Sequence, residues 1–254
     1  MVIYGDYHTH TIYSSGKHKR KHATGSILEN ALFAKQKGLK EIAITEHGFS
    51  HKLYGLQRKN LEQMRKEINE AKLKTGINIL LGIEANIISS EGDVDLTLND
   101  IKNFDFIIVG FHCFAKSKSL KEYFKFFLPN ILGFKRKKDY KRNTLALLKA
   151  MDKYPIDVIS HPGVKMPIDF SEVAQQAKKT NTMLEINGKR IAYKENDVIT
   201  IKNAGAKFII SSDAHSANRV GEVRKPINFA IKNNISNNDI ANMGKRINYK
   251  NYKN

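Results

Sequence analysis

Residues 1–10 read MVIYGDYHTH, an apolar start that turns into polar residues. Val2, Ile3 and Tyr4 predict a short buried strand running straight into Asp6-Tyr7-His8-Thr9-His10. Residues two apart in an extended segment share a face, so His8 and His10 project together from the end of that strand. Two imidazoles on one face are half of a metal site. The fold question is then whether later strands deliver further ligands to the same place.

Outward from this stretch the chain alternates strand and helix. Ser26 is a helix N-cap with Glu29 as its capping partner, and the helix it opens ends at Gly38. Apolar runs predict further strands at Leu39–Thr45, Ile77–Ile83, Phe104–Gly110, Ile156–Ser160, Thr182–Ile186 and Lys207–Ser212. Helices are predicted at about Arg58–Lys74, within Leu120–Lys153, near Glu172–Lys179 and at Asn196–Asn203, with one or two more after the last strand. Ile87–Leu98 reads as a small hairpin. The strands are continuously apolar, as in parallel sheets covered on both faces. Seven βα units without a linker or repeat predict an α/β protein, a distorted (β/α)7 TIM-like barrel occupying 1–254 as one domain. A doubly wound sheet is the alternative.

Polar residues mark the same end of strand after strand. His8 and His10, His47, Glu84, His112, His161, and Asp213 with His215 all fall at predicted C-terminal ends. In a βα barrel those ends converge on one face, where the active site lies. Imidazole with carboxylate and no thiolate suits Zn, Mn or Fe. Eight side chains exceed the needs of one ion, so at least two divalent ions are expected, with Glu84 the best bridging carboxylate. Paired ions activate a hydroxide and neutralise the oxygens of a phosphoryl group. Cys113 is the only cysteine and follows a ligand position without a motif, so it reads as wall.

Composition narrows the setting. One cysteine excludes a disulfide framework and a thiolate zinc cluster within the chain. No apolar run reaches membrane-spanning length, and no basic-then-apolar leader precedes the first strand. A soluble, cytoplasmic protein without a membrane partner is expected. The net charge of +18 attracts phosphorylated substrates, nucleic acid or anionic surfaces. Lysines scattered over helix exteriors give the same total.

The motifs HTH (8–10), TEHG (45–48), GIEAN (82–86), GFH (110–112), SHPG (160–163), EIN (185–187) and SSDAHS (211–216) resemble, in order, those of the PHP superfamily, the polymerase and histidinol phosphatase domains. The small stand-alone bacterial phosphoesterases are the most similar kind. The resemblance implies a trinuclear centre. His8, His10, Glu84 and Asp213 are implied to hold one ion, and Glu84, His112 and His161 a second. His47, His215 and a first-loop histidine are implied to hold the third. His22 is preferred over His18 for that last place, because His22-Ala23-Thr24-Gly25-Ser26 leads into the helix cap. Glu46 stands where the family usually has Asp. His51 carries no motif and is assigned to the surface.

The resemblance implies a metal-dependent phosphatase that hydrolyses small phosphomonoesters through a metal-bound hydroxide, with Glu84, Asp213 and His215 as catalytic residues. Arg190 and Arg219 lead as phosphate-binding cations because a guanidinium binds phosphate bidentately. Lys17, Arg20 and Lys189 follow, and Asn187 orients substrate or water. A phosphodiesterase or nuclease acting on nucleotides or nucleic acid is the alternative. An amidohydrolase or a non-enzymatic binding protein ranks lower. The natural substrate and the oligomeric state are not legible.

Overall fold

The computed structural model describes residues 1–16 and 22–250. Seven strands form one parallel sheet in sequential order: β1 Gly5–Thr9, β2 Glu41–His47, β3 Asn78–Asn86, β4 Phe106–Gly110, β5 Val158–Ile159, β6 Met183–Asn187 and β7 Phe208–Ser211. Helices Ile27–Gln36, Leu61–Thr75, Lys137–Lys153, Phe170–Thr180, Glu195–Ala204 and Arg224–Lys232 return the chain between and after strands. The (β/α)7 barrel is therefore present. The connection after β3 holds only a short turn of helix, Leu98–Ile101.

Alternation along the strands sorts the two layers. Ala43, Leu80, Phe106, Ile108, Val158, Met183 and Ile209 point inward, pack with Tyr7, and are plugged from below by Ile247. Their neighbours Ile42, Ile44, Ile79, Leu81, Ile107 and Ile210 point outward and pack under the helices. Continued two residues at a time, the inward rows reach Glu84, His112, Glu185 and Asp213 at the C-terminal rim.

β1 and β7 share no ladder, and polar side chains close the seam. Asn242 donates to the carbonyls of Gly5 and Ile210 at 2.9 and 2.8 Å and accepts from Ile210 N at 3.1 Å. Above it, buried Asp6 accepts from the backbone N–H of Ser212 at 3.0 Å and of Gly221 at 2.8 Å. His10 N–H donates to the Ala214 carbonyl at 2.8 Å. Each bond gives a partner to a backbone group that an open sheet edge would leave without one.

Several boundaries differ from the sequence expectation. The first strand is Gly5–Thr9, not Val2–Tyr4, and Val2 is 74% exposed. The apolar triplet enters the barrel from below, and His8 lies inside the strand instead of after it. The register slips between Asp6 and Thr9, so three steps on β1 face two on β2. That bulge breaks strict alternation and brings both Tyr7 and His8 to the interior. The basic segment between β4 and β5 is a helical stretch broken by a π turn at Tyr123–Phe127, then the helix Lys137–Lys153. Ser26 and Glu29 form the expected capping box, and Ile87 and Val94 make the one bridge of the expected hairpin.

Candidate metal centre

Glu84 is the middle of the rim. Its side chain is buried, and five imidazoles surround it. His47 Nδ1 lies 2.9 Å away, His161 Nε2 3.0 Å, His8 and His112 Nε2 both 3.4 Å, and His10 Nε2 3.7 Å. Asp213 stands on the other side, 3.8 Å from His8 Nε2 and 3.6 Å from His10 Nε2. His215 and His22 meet through their Nε2 atoms at 2.8 Å. Three groups of donor atoms are mutually close: His8, His10 and Asp213; His47, Glu84 and His112; and His10, His47 and His215. His161 joins through Glu84, and His22 through His215. All nine of the sequence-predicted ligands therefore converge at one rim. The grouping differs in detail from the implied one, with His10 and His47 shared between groups.

The donor set fits divalent cations. His47 is buried, and neither of its ring nitrogens has a hydrogen-bond partner among the described residues; Nδ1 approaches Glu84 out of line for such a bond. His8 Nε2 and His10 Nε2 face each other at 3.1 Å. Imidazole nitrogens converging on one another and on carboxylates are donors awaiting a cation, since buried polar atoms otherwise find partners. Nitrogen and oxygen donors without sulfur match Zn, Mn and Fe.

The electrostatics agree with that chemistry for Glu84, Asp213, His10 and His47, whereas the neighbouring carboxylates Glu185 and Glu84 raise His8 and Glu84 raises His161 against the pull of burial. Burial works against ionisation of Glu84, yet His112, His8 and His161 hold its carboxyl well below the ordinary range. Burial likewise opposes Asp213, and His8, His10 and Lys189 hold it low. Burial pushes His10 and His47 well below the usual imidazole value. The carboxylates are thus anionic and these two imidazoles neutral, the forms in which both bind metal.

Behind the donors stands a ring of orienting groups that the motif reading left without roles. Glu185 Oε1 accepts from His8 Nδ1 at 2.7 Å, and Glu185 Oε2 from the His161 backbone N–H at 2.7 Å. His112 Nδ1 donates to Asn86 Oδ1 at 2.8 Å. The Asn86 amide in turn donates to half-buried Asp95 at 2.6 Å. His10 Nδ1 lies 3.2 Å from Ser14 Oγ, and Ser14 donates to Glu46. In each relay the far nitrogen is occupied, so the near one faces the centre, which is how outer groups fix a ligand's tautomer. Glu185, Asn86 and Glu46 lie inside quoted motifs. Asp95 carries no sequence signal beyond its place in the turn after β3. Gly110 is bare for a reason: a Cβ there would sit 2.3 Å from Ser160 Oγ and 2.9 Å from His161 Cε1.

The remaining predicted residues divide. Lys189 reaches the cluster, its Nζ 3.2 Å from Asp213 Oδ1 and in contact with His215 Nδ1. Asn187 Nδ2 donates to Glu185 at 3.0 Å and Asp213 at 3.2 Å. Arg190 is exposed, and its backbone N–H donates to Asn187 Oδ1. Arg219 Nε pairs with Glu222 at 3.0 Å on the surface. Lys17, His18 and Arg20 lie outside the described residues. His51 is not on the surface: it is 6% exposed and stacks on His47 with centroids 4.9 Å apart. The loop after β2 turns back at Gly48 and Gly55 and tucks His51 beneath the rim, a fold-back that no motif signals.

A parallel barrel with a converging imidazole and carboxylate rim defines an α/β protein built around a metal centre. A family model described as the PHP domain matches residues 6–195, and this chain belongs to that family. A probable phosphatase of Thermoanaerobacter sp. strain X514 is 34% identical over 248 residues, covering 92% of this chain and 87% of its own. A probable phosphatase of Photobacterium profundum is 30% identical over 256 residues, covering 93% and 90%. The histidinol phosphate phosphatase of Lactococcus lactis, solved with zinc, L-histidinol and phosphate, shares the fold. It has a TM-score of 0.58 at 18% identity and covers 91% of this chain and 94% of its own. No helix among the described residues is long and apolar enough to cross a membrane.

Proposed function

We propose that this chain is a metal-dependent phosphoric ester hydrolase acting on small phosphomonoesters, the class named for its relatives. One observation carries the reading: buried Glu84 stands within 3.7 Å of five imidazoles, with a second carboxylate, Asp213, alongside and the Lys189 ammonium paired to it. We assign His8, His10, His22, His47, Glu84, His112, His161, Asp213 and His215 to hold two to three divalent ions. Residues 1–254 act as one PHP domain, since Asp213 and His215 complete the rim from beyond the matched 6–195.

Bound ions supply Lewis acidity toward phosphoryl oxygens and lower the pKa of water. The side chains do the rest. Glu185, Asn86 and Ser14 hold the imidazoles of His8, His112 and His10 in the tautomer that faces the centre. Asn187 ties Glu185 to Asp213 and fixes the distance between β6 and β7. Lys189 is the cation placed to meet an equatorial phosphoryl oxygen, where preorganised positive charge counts most as negative charge develops. Arg190 and Arg219 lie further out and suit the part of a substrate beyond its phosphate.

Elemental analysis of the purified chain, run beside p-nitrophenyl phosphate and bis-p-nitrophenyl phosphate assays, tests this. Two to three metals per chain with monoester turnover that chelation removes and added metal restores is the expected result. A strong diester preference moves the assignment to nucleotides or nucleic acid. Absence of metal refutes it.

A further inference from the structure

The segment between β4 and the helix Lys137–Lys153 departs from an ordinary protein surface. Between 114 and 145 it exposes Phe114, Leu120, Phe124, Leu132, Phe134 and Leu145, nearly half of the large apolar side chains exposed on the described molecule. The same residues include ten lysines and arginines against two acids, Glu122 and Asp139. Both acids are buried and held by hydrogen bonds, Glu122 by Ser90 and Asp139 by Arg136. From the neighbouring turn Glu91 pairs with Lys125 and Asp93 with Lys118, so the face keeps a net positive charge carried by its remaining lysines.

Apolar and cationic groups share one groove. Phe124, Leu128 and Phe134 line about 550 Å³ together with Lys125, Arg136 and Lys138. Lys121, Lys135, Lys137, Lys138 and Lys141 have no carboxylate partner among the described residues. Of the groove's cations Lys125 pairs with Glu91 and Arg136 with Asp139, while Lys138 is unpaired among the described residues. Exposed aliphatic and phenyl groups beside lysines are the composition of a surface that lies on an anionic interface.

We propose that this face, centred on Phe124, Leu132 and Phe134, docks the protein peripherally on an anionic lipid bilayer. The leucine and phenylalanine side chains enter the headgroup boundary, and Lys135, Lys137 and Lys138 meet the lipid phosphates. Single-stranded nucleic acid fits less well. It wants open aromatic faces for base stacking, yet the Arg136 guanidinium already covers the Phe134 ring, 4.4 Å from its centroid. Leu120 and Leu132 offer nothing to a base. Chemistry at the metal centre does not depend on this face, because none of its residues contacts the donor cluster.

The test is cosedimentation of the full chain with vesicles of phosphatidylcholine alone and of phosphatidylcholine containing about one third phosphatidylglycerol. Binding to the anionic vesicles only is expected, weakening as salt is raised. The double variant Phe124→Ser with Phe134→Ser is expected to lower the bound fraction at least about fivefold. The triple variant Lys135→Glu, Lys137→Glu, Lys138→Glu is expected to do the same. These positions are exposed, and an unchanged circular dichroism melt confirms folding. No cosedimentation of the parent chain at low salt overturns the proposal. Loss with the charge reversals but none with the serine variant also overturns it, leaving a bare polyanion effect. Tighter binding to single-stranded DNA, lost in the serine variant, assigns the face to nucleic acid instead. A dimer by light scattering that the serine variant dissociates, with no vesicle binding, assigns it to a second copy and likewise refutes a lipid partner.

Discussion

The Tyr54 ring lies face to face on His22, with centroids 3.8 Å apart and planes 5° from parallel. His22 is the first described residue after 17–21. Tyr54 comes from the loop after β2, whose turn is fixed by its own N–H donating to His51 Nδ1 at 3.0 Å. An aromatic pair of this kind contributes about 1 kcal/mol. Tyr54→Ala is expected to weaken the affinity for one metal ion by about tenfold, while Tyr54→Phe retains it. Competition with a chromogenic chelator measures this directly, and equal affinities in both variants would remove Tyr54 from the role.

Glu84 lies within 3.7 Å of five ligand candidates, so its loss is not local. Glu84→Ala leaves buried imidazoles facing one another without their anion. Bound metal and phosphatase turnover are both expected to fall to background, read by elemental analysis and p-nitrophenyl phosphate hydrolysis. Full turnover in the variant would sink the central place given to this carboxylate.

Asp95 acts at one remove. It holds Asn86 through its backbone N–H at 2.7 Å and its side-chain amide at 2.6 Å, and Asn86 holds His112. Asp95→Ala frees the His112 ring to turn and leaves the Ser50 and Asn86 N–H groups without an acceptor. A drop of about 10- to 100-fold in metal affinity is expected, with about 1–3 kcal/mol lost in stability. If the melting temperature falls but metal titration by calorimetry is unchanged, Asp95 is only a structural brace.

His51 is where burial changes an expectation. Its ring fills space under His47, so His51→Ala opens a cavity and strands the Tyr54 N–H. A loss of about 1–3 kcal/mol is expected in urea unfolding. A midpoint equal to the parent's would return His51 to the surface.

Asp157 gives a pH signature at the closed end of the barrel, away from the ligand cluster. Burial pushes its carboxyl up from 3.8 to about 6, although the backbone N–H groups of Ile107 and Lys250 donate to it at 2.9 and 2.8 Å. A carboxyl raised in the folded state binds its proton more tightly there than in the unfolded chain. Its contribution to stability is therefore present below about pH 4 and lost as pH rises toward 6, by at most about 3 kcal/mol. Asp157→Asn is expected to be less stable overall but to lack this decline. Parallel melting curves for parent and variant from pH 4 to 7 would refute the assignment.

Much of the site was readable because its chemistry is written at strand ends. Glu84 follows a run of apolar residues, and so do His112, His161 and Asp213, so alternation and position together mark them. The supports were not readable in the same way. Asp95 sits nine residues from the Asn86 it holds, in a turn rich in ordinary polar residues. Tyr54 lies thirty-two residues from His22 and meets it only when two loops fold over the same rim. Lys189, Arg190 and Arg219 look alike as isolated cations. Only the path of the chain after β6 brings the Lys189 ammonium to Asp213 and leaves the two guanidinium groups outside.

By itself the sequence determined the parallel barrel, the family and the convergence of the ligand set. Apolar period and strand-end chemistry are local signals that survive without coordinates. The tertiary structure alone decided how the first strand is aimed. Strict alternation puts Tyr7 and His8 on opposite faces, yet Tyr7 packs on Phe106 in the interior while His8 meets Glu84 and Glu185. The bulge between Asp6 and Thr9 makes both possible. It arises where β1 must close against β7 through Asp6 and Ala214, residues joined by more than two hundred positions of chain and by no local rule.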